Sequence, residues 1–486
     1  MLFGLGALFV ASTRELGTRR AALTAWIWAT SAGLVGLAFV PGVIDRFTPL
    51  GFGLGVVALV LLSAFQGLSW AIGVGAGHAL SARGWLGPQL AFGLGVLVAV
   101  TLPTVFGWTP AGLVSPWPVL VQLAELIGER GVSLIFAVGA ALLAAPFVGS
   151  RRSFVEPALG ALLFALLVVY GVLRLNSVEQ GLEKLPRLRV GVVQAAVPAR
   201  LRWDPAARAP ILEKLRRLTV ASENRAAELT IWPEAAYPHV LPHAASAAPS
   251  DSRSIVGHGV RGPVLFGLIT SGSAGEHYNA ATIVTRGGEL EEPQAKLQLL
   301  WFGETVPLVD QLPFLRRIFI RTGGLVPGEA VVLLRHAEAR IAVLNCYEDT
   351  LPAMGRRMAL SGANLLVNVT NDAWFGPTSE PELHLRLSAL RAVETRLDLV
   401  RAVNLGVPAW IDAAGVVRAR GSDASESVML ATPALNDMSP TLYTRAGDIP
   451  VWTLLALAIL TGAFRARRSR SRPPPCGTTE PNQTRY

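Results

Sequence analysis

The stretch Arg340–Gly376, RIAVLNCYEDTLPAMGRRMALSGANLLVNVTNDAWFG, decides the fold of this chain. Its apolar run Ile341–Leu344 predicts a buried strand that places Cys346 just beyond its end. A helical stretch follows, and a second apolar run, Leu365–Thr370, ends at Asn371. This strand–helix–strand unit puts a reactive side chain at the carboxyl end of a strand, which is where open α/β sheets place their chemistry.

Two interpretations of Cys346 remain open on this segment alone. A helix start after the strand would supply backbone N–H groups that lower a thiol pKa and bind an oxyanion, so Cys346 is a candidate nucleophile. A lone cysteine at a strand end is equally typical of a small buried hydrophobic residue. The other cysteine, Cys476, lies in a Pro- and Thr-rich tail, so no structural disulfide is expected.

The composition indicates a membrane protein with a soluble part. The 486 residues are 51% hydrophobic and 16% charged, whereas soluble domains contain about 25% charged residues. The apolar residues concentrate near both ends of the chain. We therefore predict four parts: N-terminal transmembrane helices (1–175), a soluble domain (176–448), a C-terminal transmembrane helix (449–464) and a basic tail (465–486).

Apolar runs of about 20 residues predict the membrane spans. They lie near Ala21–Ile44, Leu50–Leu80, Pro88–Trp108, Gly128–Val148 and Phe154–Leu175, whereas Leu2–Ala11 is too short for a full span. Arginines cluster in alternate connections, which predicts that those connections are cytoplasmic and that residues 176–448 lie outside the cytoplasm. The net charge of +9 then reflects membrane topology and lipid headgroups, and no nucleic-acid partner is expected.

Residues 176–448 alternate short β-type runs with helical patterns, which predicts a layered α/β domain. Strands are predicted at 189–194, Leu229–Trp232, Val264–Ile269, Leu399–Val403 and Ala409–Ile411, with a hairpin of Ala281–Thr285 and Ala295–Leu300. Helices are predicted over Ala206–Ala227 and Glu382–Leu397.

Polar residues close several of these strands. Glu234, Lys296 and Glu304 each have an ordinary structural explanation, as a helix N-terminal charge, a solvated strand residue and a turn residue. Together with Cys346 they form a plausible activated-thiol site, with a carboxylate to take the thiol proton and an ammonium to stabilise an oxyanion. HExxH and CxxC motifs are missing from the sequence, and we predict neither a metal nor a cofactor.

Six motifs together indicate a family: Trp232–Pro238 (WPEAAYP), Lys296 with Phe302-Gly303-Glu304, Cys346-Tyr347-Glu348, Thr370–Gly376 (TNDAWFG), Arg391–Glu394 (RAVE) and Arg401–Gly406 (RAVNLG). In these residues the chain resembles the nitrilase, or carbon–nitrogen hydrolase, superfamily. The TNDAWFG run and the flanking spans resemble, more specifically, the bacterial apolipoprotein N-acyltransferases.

The resemblance implies an α/β fold, a nitrilase-like four-layer α-β-β-α sandwich inserted between the N-terminal spans and one C-terminal span. It implies Glu234 as general base, Lys296 as oxyanion stabiliser and Cys346 as nucleophile. It further implies four substrate-binding or supporting residues: Glu304, Trp203, Tyr347 and Glu348.

The implied reaction matures lipoproteins in two halves. Cys346 takes a fatty acyl chain from a membrane phospholipid as a thioester, and the α-amine of the N-terminal diacylglyceryl-cysteine of an apolipoprotein then accepts it. The implied location is the bacterial inner (cytoplasmic) membrane, with the catalytic domain on the periplasmic side, and the protein is expected to act as a monomer.

Two alternatives stay open at the level of sequence. A membrane-tethered amidase or nitrilase would use the same residues with water as the acceptor. A non-catalytic membrane scaffold would retain the residues without the reaction, although an intact set of Glu234, Lys296 and Cys346 argues against it.

Overall fold

The computed structural model describes residues 1–148, 154–198, 200–306, 311, 324–422 and 424–470. The side chains of Trp203 and of residues 468–470 lie outside the described set, as does Cys476. The N-terminal helices are α1 (Leu2–Arg14), α2 (Thr18–Gly36), α3 (Val40–Phe47), α4 (Gly51–Ala82), α5 (Pro88–Thr101), α6 (Pro110–Val114), α7 (Ala124–Ala144) and α8 (Val155–Leu182).

The membrane character that the composition predicts is confirmed in the described part of the chain. Four helices there are long and apolar enough to cross a bilayer: α4, Ala124–Phe147 (α7 and its extension), α8 and Ile449–Arg467. Helices α2 and α3 form a fifth span if a pair bent by 54° counts as one. Large apolar side chains such as Phe52, Leu61 and Ile72 are exposed on α4, as expected for a surface that faces lipid.

The predicted span Pro88–Trp108 is wrong in its second half. Helix α5 ends at Thr101 after 14 residues, and residues 102–109 continue without helical structure to α6. Pro103 explains the break, because proline disfavours the helical conformation of the residue before it and cannot donate a helical hydrogen bond. Leu102 is accordingly extended, with φ −65° and ψ 143°.

The soluble part contains two sheets and flanking helices. Its strands are β1 (Val190–Gln194), β2 (Leu229–Ile231), β3 (Leu241–Pro242), β4 (Val264–Ser271), β5 (His277–Val284), β6 (Gln294–Ala295), β7 (Leu334–His336), β8 (Ala339–Asn345), β9 (Leu365–Thr370), β10 (Leu399–Val403), β11 (Ala409–Ile411), β12 (Val417–Arg420) and β13 (Ser427–Ala431). The later helices are α9 (Arg208–Asn224), α10 (Pro352–Leu360), α11 (Glu380–Thr395), α12 (Leu442–Ala446) and α13 (Ile449–Arg470).

Each sheet has a parallel centre. The first sheet has the order β13-β1-β2-β4-β5-β6, with β3 beside β4, and the second has the order β12-β11-β10-β9-β8-β7. Strands β1, β2 and β4 are parallel to one another, as are β8, β9 and β10. The hairpin prediction is confirmed by β5 and β6, although β6 ends at Ala295 instead of continuing to Leu300.

Three apolar clusters define the layers. Val192 and Ile231 of the first sheet pack with Val343 and Val367 of the second, which places one core between the sheets. A second core lies between the first sheet and α9, and a third lies between the second sheet and helices α10 and α11. The order of layers is therefore α-β-β-α, which confirms the predicted sandwich.

Helix α11 also packs against the membrane helices. Its residues Leu390 and Val393 share an apolar cluster with Ala111 of α6 and Phe136 of α7. Beside this cluster, Arg391 donates to Glu129 of α7 at 2.5 Å, and both side chains are buried. The sandwich is thus packed onto α6 and α7 through one of its outer helices.

Candidate active site

Cys346 lies where the strand–helix–strand pattern predicts it. Strand β8 ends at Asn345, and Cys346 begins a short 3₁₀ turn, Cys346–Thr350. Its φ of +53° is a left-handed conformation that a residue with a Cβ adopts only at a cost. Such strain is common at nucleophiles that a sharp turn presents at the end of a strand.

Glu348 stabilises this turn and is fully buried. One carboxylate oxygen accepts the N–H of Asn345 at 2.7 Å, and the other accepts the N–H groups of Leu297 and Gln298 at 2.7 and 2.8 Å. Glu348 therefore joins the Cys346 turn to the loop that begins with Lys296.

Glu234 follows β2 of the other sheet and is 8% exposed. The adjacent strand β4 passes this segment so closely that a Cβ on Gly267 would lie 2.5 Å from the Pro233 carbonyl oxygen and 2.8 Å from the Glu234 Cα. A side chain at position 267 would displace Glu234, so glycine is needed there.

Lys296 directly follows β6 and is 1% exposed, so its interpretation as a solvated strand residue is wrong. Its Nζ lies 2.7 Å from Glu304 Oε2 and 3.6 Å from Glu234 Oε1. Asn279 of β5 donates to the same two carboxylates, at 2.7 Å to Glu234 and 2.9 Å to Glu304. Two carboxylates thus share one ammonium and one amide.

The environment separates the pKa values of these carboxylates. Burial raises the pKa of Glu234. Lys296 and Asn279 lower this pKa and the charge of Glu304 raises it, but burial is the largest cause and the net shift is upward. Burial also opposes ionisation of Glu304, but Lys296 and the backbone N–H of Leu300 outweigh it and lower the pKa of Glu304. Although burial disfavours the charged form of Lys296, Glu304 and its other anionic neighbours raise its pKa well above the ordinary value.

The Cys346 thiol differs from the sequence-based expectation. Burial and the nearby charge of Glu234 raise its pKa well above the ordinary value, and Lys296 only partly offsets them. The expectation that a helix start lowers this pKa is therefore wrong, because a 3₁₀ turn of five residues has few aligned peptide dipoles while the thiol is almost fully buried. The resting cysteine is a thiol and needs a base when it reacts.

The structure assembles six of the seven predicted site residues. Tyr347 lies beside the ammonium, with Lys296 Nζ 5.7 Å from its ring centroid, and its hydroxyl donates to the Leu299 carbonyl at 3.2 Å. Glu234, Lys296, Glu304, Cys346 and Glu348 are placed as described above. The side chain of Trp203, the seventh, lies outside the described residues.

Cys346 and Tyr347 line a cavity of about 170 Å³, one side of which comes from the soluble domain, including Leu300 and His384, and the facing side from the membrane region. The membrane side includes residues 100–109, which leave α5, together with Glu129 and Arg130 of α7. The thiol therefore faces an opening between the sandwich and the membrane helices.

Sequence analysis missed several residues around the site. Asn279 could have been noticed as a polar residue within the mostly apolar strand β5. Arg401 stands out in the same way in β10, where every residue is buried. His384 lies on α11 and also lines the cavity. Its position in the sequence does not distinguish it from any other polar residue of a helix.

A four-layer sandwich with Glu, Lys and Cys at the ends of its strands is the arrangement that the resemblance to the carbon–nitrogen hydrolases predicts. The family profile Carbon-nitrogen hydrolase matches residues 189–443, which is more than half of the chain.

Comparison with individual relatives narrows the carbon–nitrogen hydrolases to one family. The chain is 32% identical to apolipoprotein N-acyltransferase of Allorhizobium ampelinum over 96% of this chain and 84% of that protein. It is 30% identical to that of Geobacter metallireducens over 79% and 73%, and 29% identical to that of Bdellovibrio bacteriovorus over 97% and 91%. The chain belongs to the apolipoprotein N-acyltransferase family within the carbon–nitrogen hydrolases.

Proposed function

We propose that this protein transfers a fatty acyl chain from a membrane phospholipid to the N-terminal amine of diacylated apolipoproteins. The relatives named above support the reaction class. The observation that favours lipid substrates is the cavity, because Cys346 shares it with residues 100–109 and α7 of the membrane region. We infer that an apolar chain approaches the thiol from that side, where its burial is favourable.

In the first half-reaction the Cys346 sulfur attacks the ester carbonyl of the phospholipid and passes its proton to Glu234. The ammonium of Lys296 stabilises the oxyanion that forms. Glu234 then returns the proton to the leaving alkoxide, so that lysophospholipid departs and a thioester remains on Cys346. The raised pKa of Glu234 suits a group that both accepts and donates a proton in the reaction.

In the second half-reaction the α-amine of the apolipoprotein attacks the thioester carbonyl. Glu234 takes a proton from the amine and gives it to the departing Cys346 sulfur, which restores the thiol. An amide bond forms as the thioester bond breaks. A thioester is reactive enough toward an amine that this step needs no cofactor.

We further propose that the catalytic domain faces away from the cytoplasm. Arg14 at the end of α1 contacts the Phe147 carbonyl, which places that arginine at the end of α7 remote from Glu129 and the cavity. The α7 segment between Glu129 and Phe147 spans about 25 Å, close to the hydrocarbon thickness of a bilayer. The end of this helix near Arg14 and the end that lines the cavity are therefore on opposite sides of the bilayer. The positive-inside rule requires this arrangement for an extracytoplasmic site.

We also propose that one chain is sufficient for catalysis, as Glu234, Lys296 and Cys346 meet within a single copy. Activity should then be proportional to enzyme concentration in detergent under conditions where the protein is monomeric.

The proposal is tested by acyl labelling of the purified protein. With a labelled phospholipid alone we expect a covalent adduct that the addition of a diacylated lipopeptide discharges. Cys346→Ala should form no adduct, and Cys476→Ala should behave like the unaltered protein. An adduct that water discharges to free fatty acid at the same rate with and without lipopeptide would favour a hydrolase and contradict the proposal, as would an adduct on the Cys346→Ala protein.

A further inference from the structure

A buried group of charges lies behind the nucleophile turn and has no part in the two half-reactions. His384 of α11 is 3% exposed. Its Nε2 lies 2.6 Å from Asp349 Oδ1, and its Nδ1 lies 3.2 Å from Asp372 Oδ1. Asp349 is the third residue after Cys346 in the same 3₁₀ turn, so this imidazole touches the segment that presents the thiol.

The contacts define the protonation state of His384. Carboxylate oxygens accept hydrogen bonds, and a neutral imidazole has a single N–H, so donation from both ring nitrogens requires the imidazolium form. Arg401 of β10 binds the other oxygen of Asp349 and lies 3.9 Å from Asp372 Oδ2. Two aspartates and two cations therefore face one another.

The remaining charges near the ring agree with this assignment. Burial opposes a charged His384 and so does Arg401, but the two aspartates outweigh them and raise the pKa of His384 to about 10. Burial raises the pKa of Glu380, on the same helix, to about 8, and the charge of His384 opposes this rise.

A metal ion is a poorer explanation of the same residues. Asp372, Glu380 and His384 do offer ligand atoms within 4.8 Å of one another. An imidazolium has no free lone pair to ligate a metal, and the guanidinium of Arg401 already supplies positive charge next to Asp372. The group is neutralised by its own side chains.

We propose that His384, as an imidazolium, is a positioning residue that fixes the Cys346 turn through Asp349. The left-handed conformation of Cys346 must be maintained from outside the residue. Glu348 stabilises the turn from the Lys296 side, and the Asp349–His384–Asp372 chain stabilises it from the α11 side. Removing the imidazolium charge would let the sulfur move away from its line of attack, and a displacement of about 1 Å can cost roughly 100-fold in rate. This inference rests on the proposed role of Cys346 as nucleophile.

The test compares His384→Gln with the unaltered full-length protein in detergent. Single-turnover acylation by labelled phospholipid gives the maximal rate and the concentration dependence separately. We expect the maximal rate to fall by about 10-fold to 100-fold while the half-saturating phospholipid concentration changes by less than about three-fold. A merely structural defect would change both together, and that result would overturn the proposal.

A spectroscopic measurement tests the protonation state. In the protein labelled with ¹⁵N-histidine, we expect one doubly protonated imidazolium at pH 8.5 that is lost in His384→Gln. The matched control is His336→Gln, because His336 pairs with Ala339 at the end of β8 remote from Cys346, and this variant should retain the signal and the acylation rate. A neutral ring at position 384 at this pH would overturn the proposal.

If His384→Gln does not fold, Asp372→Asn preserves side-chain volume and removes one of the two charges that favour the imidazolium. It should lower the maximal rate in the same selective way, and an unchanged rate would overturn the inference. Failure of the proposed function is distinguishable, since it would show as an adduct on the Cys346→Ala protein.

Discussion

At the scale of single residues, the two carboxylates around Lys296 show how chemically identical groups acquire different roles. Glu234 and Glu304 both accept from Asn279 and both lie within 3.6 Å of Lys296 Nζ. Their pKa values nevertheless move in opposite directions. We therefore propose Glu234, the group with the raised pKa, as the proton carrier and Glu304 as the permanent counter-ion.

This separation predicts different pH dependences for two matched variants. The base acts when deprotonated, so the acylation rate of the unaltered protein should rise with pH through the raised pKa of Glu234. Glu234→Gln should lower the rate by about 10²–10⁴-fold and remove this rising limb. Glu304→Gln should retain the limb but shift it to lower pH, because the charge of Glu304 contributes to raising the pKa of Glu234.

Single-turnover acylation between pH 5 and 9 measures both variants. If the rising limb survived in Glu234→Gln and disappeared in Glu304→Gln, the two roles would have to be exchanged.

At the scale of elements, a break in α7 joins the membrane region to the end of the catalytic domain. Gly128 has φ 68° and ψ 175° within this helix, a conformation essentially restricted to glycine. The ring of Tyr443 from α12 packs against Gly128 at this break. A Cβ at position 128 would lie 2.2 Å from the Tyr443 Cε2 atom. The next two residues, Glu129 and Arg130, line the cavity that contains Cys346.

Gly128→Ala should therefore destabilise the protein by about 2–5 kcal/mol, through backbone strain and overpacking combined. The midpoint of thermal unfolding in detergent measures this, and the acylation rate should fall with it because the cavity wall moves. Gly181→Ala is the matched control, since a Cβ there meets no atom within 4 Å. Equal unfolding midpoints for the two variants would show that the α7 break does not depend on glycine.

At the scale of the whole molecule, the helices place the Cys346 cavity at one of their ends and Arg14 and Arg83 at the other. Asp448, just before α13, pairs with Arg130 at the cavity. Further along α13, Gly462 packs against the backbone of Trp85, close to Arg83. The C-terminal helix thus runs from the cavity side to the side of the basic connections, as a returning span must.

This arrangement predicts the labelling of single cysteines by a membrane-impermeant maleimide in intact cells. Ser273→Cys, exposed in the catalytic domain, should be labelled after permeabilisation of the outer membrane alone. Ala82→Cys, exposed at the end of α4, should be labelled only after lysis. Both variants are made without Cys476, and Cys346 is buried. The reverse pattern would place the active site in the cytoplasm.

The local sequence was sufficient for the central strands of both sheets and for much of the site, whereas β3, β7, β12 and β13 were not predicted. Apolar runs bounded by polar residues marked β8, β9 and β10, because a strand buried on both faces needs such a run. Glu234, Lys296 and Cys346 were recognisable because each belongs to a short motif at a strand end. The α-β-β-α order followed from the family resemblance, since periodicity by itself does not say which faces of two sheets meet.

What only the tertiary structure decided depends on contacts between distant segments. The buried state of Lys296, the raised pKa of Cys346 and the turn-stabilising role of Glu348 arise because the fold brings separate segments of the chain together. Arg391 and Glu129 are 262 positions apart in the sequence, and His384 and Asp349 are 35 positions apart. A sequence encodes such pairs through packing of the whole chain, because an ion pair between remote segments leaves no periodicity, spacing or composition to detect.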